Sequence, residues 1–361
     1  MTPVHYYCSV NRGSLMKKKR VHTIEELGEF GLIDHLTAGI KTNQESTHAG
    51  IGDDAAVIDH GTYYQVVTTD LLLEGIHFDL VYTPLKHLGY KAVVVNLSDV
   101  YAMNAAPRQI TVSLGVSGKF SVEALEEFYE GVRLACGRFG VDLVGGDTSA
   151  SVTGLVISVT AIGTVLREEL ATRGGALNNQ LICVTGDLGA AFMGLKVLER
   201  EKQLHEADPA FQPELKGYDY VLERYLKPEP PLEQLLALKE AGITPGAMID
   251  ISDGLSSELL HICKASGRGC QVYADRVPVA EETASVAGEF QMEPLVAALH
   301  GGEDYELLFT VPLSAHDKVS AMGGISLIGN ITDKKGHALL VTADGNAIPL
   351  QAQGWNAYQK G

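Results

Sequence analysis

The spacing of apolar residues along the chain switches between a helical and a strand-like period. Apolar side chains recur every three or four residues in six segments, which predicts helices at residues 24–36, 84–101, 122–139, 190–199, 232–241 and 254–265. Short apolar or alternating runs predict strands at residues 55–58, 63–68, 109–116, 143–144, 154–165, 180–185, 270–273, 306–311 and 325–331. Because helices and strands alternate irregularly, we expect an α/β or α+β fold with mixed sheets.

The length of the chain favours two domains, since 361 residues exceed what one hydrophobic core usually serves. We place an N-terminal domain at residues 21–165 and a C-terminal α/β domain at residues 166–361. Residues 167–179 form a predicted polar crossover, and the charged, proline-containing residues 200–229 a predicted surface excursion.

Residues 1–20 are expected to be a disordered leader. The run from Met16 to Arg20 is either a second start or a basic address signal. No apolar segment follows it, so we do not expect a signal peptide, and no apolar stretch is long enough to span a bilayer.

The formal charge of −17 argues against nucleic acid or an anionic membrane as the main partner. The negative charge does not exclude a phosphorylated ligand, because bound cations reverse the local field. The five cysteines are odd in number and lack CxxC spacing, which predicts reduced thiols in a cytoplasmic protein.

Short acidic segments rich in Gly, Ser or Thr recur along the chain, several of them directly after an apolar run. They are Ile51-Gly52-Asp53-Asp54, Val67-Thr68-Thr69-Asp70, Leu97-Ser98-Asp99, Val144-Gly145-Gly146-Asp147, Ile249-Asp250-Ile251-Ser252-Asp253-Gly254 and Gly301-Gly302-Glu303-Asp304. We interpret them as strand ends whose carboxylates converge on one crevice. Two carboxylates about 5 Å apart repel by roughly 3 kcal/mol at an effective dielectric constant near 20, so such a group needs cations. Sulfur-free oxygen ligands suit Mg²⁺.

Each segment also has a purely structural interpretation. The pair Asp53-Asp54 can cap the next segment or bind metal, and Thr68-Thr69-Asp70 can offer hard oxygens or end a strand. Asp99 lies in an apolar helical stretch, where an unpartnered carboxylate is unfavourable by several kcal/mol, which favours a metal role.

The glycine pair before Asp147 allows close approach of a phosphate while the acid holds a cation. There is no Walker A sequence and no strand-associated GxGxxG. Before the predicted helix at 254–265, Ser252 or Asp253 can act as N-cap, and the same helix start can bind phosphate.

The remaining candidates are single residues. His77 is structural or catalytic, Arg173 contacts a phosphate or solvent, and Glu303 recognises a cation or only turns the chain. Trp355, the single tryptophan, stacks on a heterocycle or plugs the domain.

In combination these segments closely resemble the thiamine-monophosphate kinases, of the superfamily that includes aminoimidazole ribonucleotide synthetase. The resemblance runs from about residue 20 to the end, in family order. Its motifs are GIGDDAAVI (50–58), TTDLLLEGIHF (68–78), NLSDVYAMNAAP (96–107), LVGGDTS (143–149), ATRGGA (171–176), DISDGLSSEL (250–259) and GGEDYELLFT (301–310). TTD–x–GIHF and GGEDYEL point most narrowly to the kinases.

The resemblance implies a two-domain fold with an N-terminal sheet used for dimerisation, and ATP in a cleft between the domains of a homodimer. It implies ATP-dependent phosphorylation of thiamine monophosphate to thiamine diphosphate, with Asp70, Asp99 and Asp147 as the best candidates for catalysis. The implied ligands of several Mg²⁺ ions are Asp54, Thr68, Thr69, Asp70, Asp99, Asp147, Asp250 and Asp253. The implied ATP contacts are Tyr129, Gly146, Asp147, Arg173 and Ser252, and the implied substrate contacts are His77, Glu303 and Trp355.

One departure concerns Pro231, which stands where the family usually has an Arg. Two alternatives to the kinase stay open. One is another ATP-using member of the superfamily, a ligase or a selenophosphate synthetase with Cys8 as its only candidate nucleophile. The other is a non-catalytic Mg–nucleotide-binding maturation protein.

Overall fold

The computed structural model describes residues 24–352, and within residues 41–352 helices pack against two mixed β-sheets. The helices are α1 (Ile24–Thr37), α2 (Leu85–Ala102), α3 (Val122–Phe139), α4 (Ala190–Ala207), α5 (Asp219–Leu226), α6 (Leu232–Glu240), α7 (Leu255–Ser266), α8 (Glu281–Glu289), α9 (Pro294–His300) and α10 (His316–Ser320). The strands are β1 (Thr47–Ala49), β2 (Ala56–Asp59), β3 (Tyr63–Leu73), β4 (Ala106–Val116), β5 (Asp142–Ala150), β6 (Val156–Leu166), β7 (Leu181–Thr185), β8 (Met248–Asp250), β9 (Gly269–Tyr273), β10 (Leu307–Val311), β11 (Ile325–Thr332), β12 (Ala338–Val341) and β13 (Ala347–Pro349). The predicted α/β class with mixed sheets is confirmed.

The first sheet has the strand order β1-β2-β3-β6-β4-β5. All its neighbours are antiparallel except β4 and β5, which run parallel. β3 and β6 pair along their whole length, from Tyr63 opposite Leu166 to Leu73 opposite Val156. Helix α2 packs on β3, β4 and β6, so alternate residues of these strands are buried beneath it. Within the described chain the opposite face, which carries Leu71 at 52% exposure, remains open.

Helices α2 and α3 cross at two glycines. A Cβ on Gly89 would lie 1.9 Å from the carbonyl oxygen of Phe128, and a Cβ on Gly131 would lie 1.9 Å from that of Lys86. Only glycine permits this approach of the two backbones. The contact fixes α2 against the sheet, and almost every residue from Leu88 to Ala102 is buried as a result.

The second sheet has the order β13-β12-β9-β11-β7-β10-β8, and only β12 and β9 are parallel. Helix α2 also packs against β8, and one hydrophobic cluster contains Leu97 of α2 together with Met248 and Phe309 of the second sheet. Helix α2 therefore lies between the two sheets. The sheets occupy residues 47–166 and 181–349, while the proposed boundary at residue 165 stays a prediction.

The predicted surface excursion at residues 200–229 holds for residues 203–217, nearly all of which are exposed, but not for the two ends of the segment. Helix α4 continues to Ala207, and α5 follows at Asp219–Leu226 with Val221 and Tyr225 buried. The many charged residues in this segment hid a narrow apolar stripe that is enough for a short helix. The sequence also did not predict β1, β8, α8, α9, α10, β12 and β13, since each is too short to show a clear period.

Helix α1 is interrupted at Gly28, which has a φ of 65° and a ψ of −177°. The leader and Trp355 lie outside the described residues. Within residues 24–352, every helix is too short or too polar to span a membrane.

Candidate active site

Three carboxylates from distant parts of the sequence meet beside α2. Asp54 precedes β2, Asp99 lies in α2 and Asp250 ends β8, and one oxygen from each lies within 4.8 Å of the others. Each pair at this separation repels by about 3 kcal/mol at an effective dielectric constant near 20. A folded chain that buries such a group needs bound protons or cations there.

Burial changes the proton affinity of this group. Burial raises the pKa of Asp54 to about 8, although the positive charge of Arg173 lowers it in part. Burial also raises the pKa of Asp70 to about 6, and the negative charge of Asp250 contributes to this increase. Burial, followed by repulsion from Asp70 and Asp250, raises the pKa of Asp99 well above its usual value. Burial also raises the pKa of Asp250. Without a cation, part of this group therefore stays protonated near neutral pH.

The donor set fits Mg²⁺. Asp54 Oδ2 is buried and has no hydrogen-bond partner among the residues that the structure describes, whereas its Oδ1 accepts from Arg173. A buried acceptor without a partner is rare, and a cation would satisfy it. All the oxygens are hard ligands, which suits Mg²⁺ better than softer metals. We infer that Asp54, Asp99 and Asp250, with Asp70 beside them, can hold divalent ions.

Helix α2 organises the group through three hydrogen bonds within four residues. Asn96 Oδ1 accepts from the backbone N–H of Asp70 at 3.0 Å, and Ser98 donates to Asp250 Oδ2 at 2.7 Å. Asp99 Oδ2 accepts from the Thr68 hydroxyl at 2.6 Å. The sequence analysis missed Asn96 and Ser98. Their signal was polar residues in the otherwise apolar run of a buried helix, where each needs a partner.

Strand β3 divides its three polar residues between two faces. Thr68 faces α2, and Asp70 interacts with Asp99 and Asp250 on the same side. Thr69, between them, donates to the backbone carbonyl of Val159 at 3.0 Å on the open face of the sheet. The prediction that these residues end a strand was wrong, because β3 continues to Leu73. The geometry therefore separates Thr69 from the buried acids.

Asp147 does not join the buried acids within this chain. It lies inside β5, an exposed edge strand, rather than in a turn after a strand as predicted. Two strands separate β5 from β3, which at about 4.8 Å per strand is roughly 14 Å across the sheet. A Cβ on Gly146 would lie 1.8 Å from the Val112 carbonyl oxygen, so packing against β4 already explains this glycine.

Arg173 contacts both aspartates of the first acidic segment. Its Nη2 and Nε donate to Asp54 Oδ1 at 2.6 and 3.2 Å, and its backbone N–H is 3.2 Å from both carboxylate oxygens of Asp53. The alternative of a solvated surface Arg is thereby excluded. The guanidinium supplies part of the positive charge that the buried Asp54 requires.

The segment before α7 is hydrogen-bonded to a side chain of that helix. Glu258 Oε1 accepts from the backbone N–H groups of Ser252 and Asp253 at 3.2 and 2.7 Å. The N-cap residue is Gly254, so neither Ser252 nor Asp253 occupies the cap position considered from the sequence. Glu258 is almost completely buried, and burial raises its pKa well above the usual value.

The segment 301–306 joins the segment before α7. The Glu303 N–H donates to the Ser252 carbonyl at 2.7 Å, and the Tyr305 N–H donates to the Ile251 carbonyl at 2.9 Å. Both Glu303 and Tyr305 have positive φ angles, 62° and 51°, which are unfavourable for residues other than glycine. Burial raises the pKa of Tyr305 well above its usual value, and the charges of Glu303 and Asp70 raise it further. Glu303 is thus held close to the acidic group.

Two further candidates have local partners. His77 Nδ1 accepts from the Leu73 N–H at 3.0 Å, which places its proton on Nε2. Tyr129 lies on α3, and its ring contacts Phe128 edge-on with 5.6 Å between centroids.

Comparison with known proteins gives matches over nearly the whole chain. The family model for AIR synthase related protein, N-terminal domain, matches residues 52–165. The thiamine-monophosphate kinase of Bacillus subtilis (strain 168) is 31% identical over 342 residues, which are 92% of this chain and 100% of that protein. The thiamine-monophosphate kinase of Aquifex aeolicus (strain VF5) is 32% identical over 335 residues, which are 93% of this chain and 99% of that protein.

Solved structures are also similar to this chain. A solved structure described as AaThiL complexed with AMPPCP and TMP aligns with a TM-score of 0.79 at 29% identity, and the alignment covers 94% of this chain and 99% of that one. The resemblance inferred from the acidic segments is confirmed. Identity above 30% over more than nine-tenths of the chain shows that it belongs to the thiamine-monophosphate kinase family.

Proposed function

We propose that this chain transfers the γ-phosphoryl group of ATP to thiamine monophosphate and forms thiamine diphosphate. The observation that carries the proposal is the buried group of Asp54, Asp99 and Asp250, in a chain whose relatives are thiamine-monophosphate kinases. The structure described as a complex with AMPPCP and TMP supports the same pair of substrates. The names of the relatives favour this reaction over a ligase, a selenophosphate synthetase or a non-catalytic maturation protein.

The reaction requires that the two substrates be positioned and that the negative charge of their phosphates be neutralised. The acceptor is a phosphate oxygen that is already ionised, so no strong general base is required. Mg²⁺ held by Asp54, Asp70, Asp99 and Asp250 would neutralise the charge of the two phosphorylated substrates. Helix α2 fixes three of these four acids through Asn96, Ser98 and its own Asp99, and such preorganisation lowers the barrier because little has to move during transfer.

The remaining candidates take the roles that the family resemblance implies. Arg173 contributes to ATP binding, because its positive charge lies beside Asp54 in the site. In the same proposal Tyr129, Gly146, Asp147 and Ser252 contact ATP, and His77, Glu303 and Trp355 contact thiamine monophosphate. Asp253 completes the metal ligands on the segment that Glu258 holds.

The active form in this proposal is a homodimer built on the open face of the first sheet. Leu71 is 52% exposed there, Val144 on the edge strand is 59% exposed, and all nine residues of β5 are exposed. Apolar residues grouped on an open sheet face are typical of a protein interface. Thr69 lies on the same face, and we propose that it meets Asp147 of the second copy rather than its own. This arrangement would place Asp147 of one copy against β3 of the other, on the opposite face of that strand from its buried acids, although the strand order keeps Asp147 away from β3 within one chain.

The reaction is proposed to take place in the cytosol. The four described cysteines, Cys136, Cys183, Cys263 and Cys270, are free thiols, as expected in a reducing compartment.

The direct test is a set of ADP-release assays with Mg²⁺ and ATP. Thiamine monophosphate, an aminoimidazole ligase precursor and selenide are compared as second substrates, and thiamine diphosphate is identified by chromatography. We expect ADP release and thiamine diphosphate only with thiamine monophosphate. ADP release that depends on either other substrate, or no release with any of them, would reject the proposal.

A further inference from the structure

Lys91 is a buried lysine in the middle of α2, away from the acids of the metal site. Only 4% of its surface is exposed, which is unusual for lysine unless its charge is paired. Its Nζ donates to the backbone carbonyl of Tyr225 at 2.9 Å and lies 3.9 Å from the centre of the Tyr225 ring. It also forms an ion pair with Glu303 Oε2. The ammonium group therefore has three fixed partners and little freedom.

The two carboxylate oxygens of Glu303 are held unequally. Oε2 is paired with the Lys91 ammonium group, while Oε1 accepts only a long hydrogen bond, 3.4 Å, from the hydroxyl of Tyr305. The Glu303 side chain is 29% exposed although its lysine partner is buried. This arrangement holds the carboxylate against the protein on one side and leaves the other side open to a ligand.

The position of Lys91 on α2 relates this carboxylate to the metal site. Lys91 precedes Asp99 by eight residues, which is about 12 Å along a helix axis. One rigid, buried helix thus carries a contact for Glu303 at one point and a metal-site acid two turns further on. A ligand with an organic cation at one end and a phosphate at the other has groups that suit both, the cation for Glu303 and the phosphate for ions held by the acids.

We propose that Lys91 is a positioning residue that fixes Glu303 to receive the cationic heterocyclic part of thiamine monophosphate. The inference rests on the proposed function, because it assigns the part of the substrate that Glu303 meets. Lys91 does not touch the substrate; it holds one carboxylate oxygen so that the other has a defined place. The ion pair also keeps Glu303 from acting as an additional metal ligand, since a carboxylate already paired with an ammonium group attracts a divalent ion less.

The test is a double-mutant cycle with Lys91→Met and Glu303→Gln, in which both replacements are uncharged and close in shape. For Lys91→Met we expect the KM for thiamine monophosphate to rise about tenfold, as for loss of a hydrogen bond to a charged group, while the KM for ATP stays within about twofold. The double variant should have the same KM for thiamine monophosphate as Glu303→Gln alone, because Lys91 acts only through Glu303.

Lys196→Met is the matched control. Lys196 also has a carboxylate partner, Glu199 at 2.9 Å, and an aromatic ring, Phe192 at 5.3 Å, but it lies on α4 and its side chain is 35% exposed. Its replacement should change neither KM. Thermal unfolding of every variant identifies loss of folding, and if Lys91→Met alone does not fold, the neutral double variant compared with Glu303→Gln decides the question.

Three results would overturn the inference about Lys91. They are an unchanged KM for thiamine monophosphate in folded Lys91→Met, an equal rise in both KM values, and effects of the two replacements that simply add. A wild-type protein that does not phosphorylate thiamine monophosphate would instead reject the proposed function, so the two failures are distinguishable.

Discussion

The acids beside α2 and the acid on β5 come from similar short segments with Gly, Ser or Thr but reach opposite environments. Asp54 and Asp250 are 6% and 4% exposed, and each makes specific side-chain hydrogen bonds. Asp147 lies on an edge strand in which every residue is exposed. The sequence pattern around an acid therefore does not determine its environment, which depends on whether a second element covers it.

The covering element makes the difference here. Helix α2 lies over β3 and against β8, so Thr68, Asp99 and Asp250 meet beneath it. Within the described chain no comparable helix lies over β5 on its open face. We infer that the first group is complete within one chain, whereas Asp147 needs a second copy.

The largest effect is expected from Asp99→Asn. This change removes one negative charge from the metal site and keeps the shape of the side chain. We expect turnover to fall by at least about a hundredfold, because charge neutralisation of the phosphates is the main catalytic contribution. The melting temperature without Mg²⁺ should not fall, since the replacement removes a buried repulsion.

Steady-state kinetics and thermal unfolding check this prediction. Asp317→Asn is the control, because the Asp317 side chain is fully exposed and remote from the site. Full turnover in folded Asp99→Asn would remove Asp99 from the mechanism and with it the distinction between the two regions.

The second prediction uses mixed dimers to decide which chain supplies Asp147. Asp147→Asn and Asp99→Asn are each expected to be nearly inactive. If each site combines the acids of one chain with Asp147 of the other, a mixed dimer has one intact site. Random mixing makes half of the dimers mixed, so about a quarter of wild-type activity should return. Co-expression with two different affinity tags isolates the mixed dimer; if it is inactive, the sites are not shared.

The third prediction concerns pH without divalent ions. Burial raises the pKa of Asp54 to about 8 and that of Asp70 to about 6, above the value of 3.8 for a free side chain. The folded state then binds more protons than the unfolded state between about pH 4 and pH 8, so stability falls as pH rises through this window. We expect the melting temperature to drop by several degrees from pH 5 to pH 8.

Magnesium should reverse this dependence, because the ion binds the ionised carboxylates. The rise in melting temperature on adding Mg²⁺ should therefore be larger at pH 8 than at pH 5. Calorimetry in buffers with a chelator or with Mg²⁺ measures both slopes. Asp54→Asn should reduce the slope without metal, since it removes one of the groups whose pKa burial raises; an unchanged slope would contradict a protonated group beside α2.

The sequence predicted well which long helices form and which acids are candidates for the site. It predicted less well where those acids lie in the strands. Helix α3 was predicted with its observed ends, since Ser121 caps it and its apolar stripe is regular. The apolar pattern predicts that β3 stops at residue 68, because the polar residues that follow are typical of a strand end. In the fold those residues pair with β6 and face either the site or the open side, so tertiary contacts override the local signal.

Side-chain partners were the least predictable part of the site. Nothing local indicates that Lys91 pairs with Glu303, more than two hundred residues later, or that Glu258 holds the two N–H groups before α7. Such pairs depend on how the two sheets meet at α2. The one usable signal was a polar residue in an apolar helical run, which showed that a partner exists but not which one.

The smallest predicted effect is that of Ser98→Ala, which tests whether α2 positions the buried acids or only covers them. Ser98 donates one hydrogen bond to Asp250 Oδ2 at 2.7 Å, and both residues are buried. Its loss should raise the Mg²⁺ concentration needed for half-maximal activity by about three- to tenfold, as expected for about 1 kcal/mol, with saturated turnover changed less. Cys in place of Ser98 offers only a weak donor and should lie between alanine and serine. If alanine changes the saturated turnover but not the Mg²⁺ requirement, Ser98 acts after the metal has bound, and α2 would not be what sets the metal affinity of the buried group.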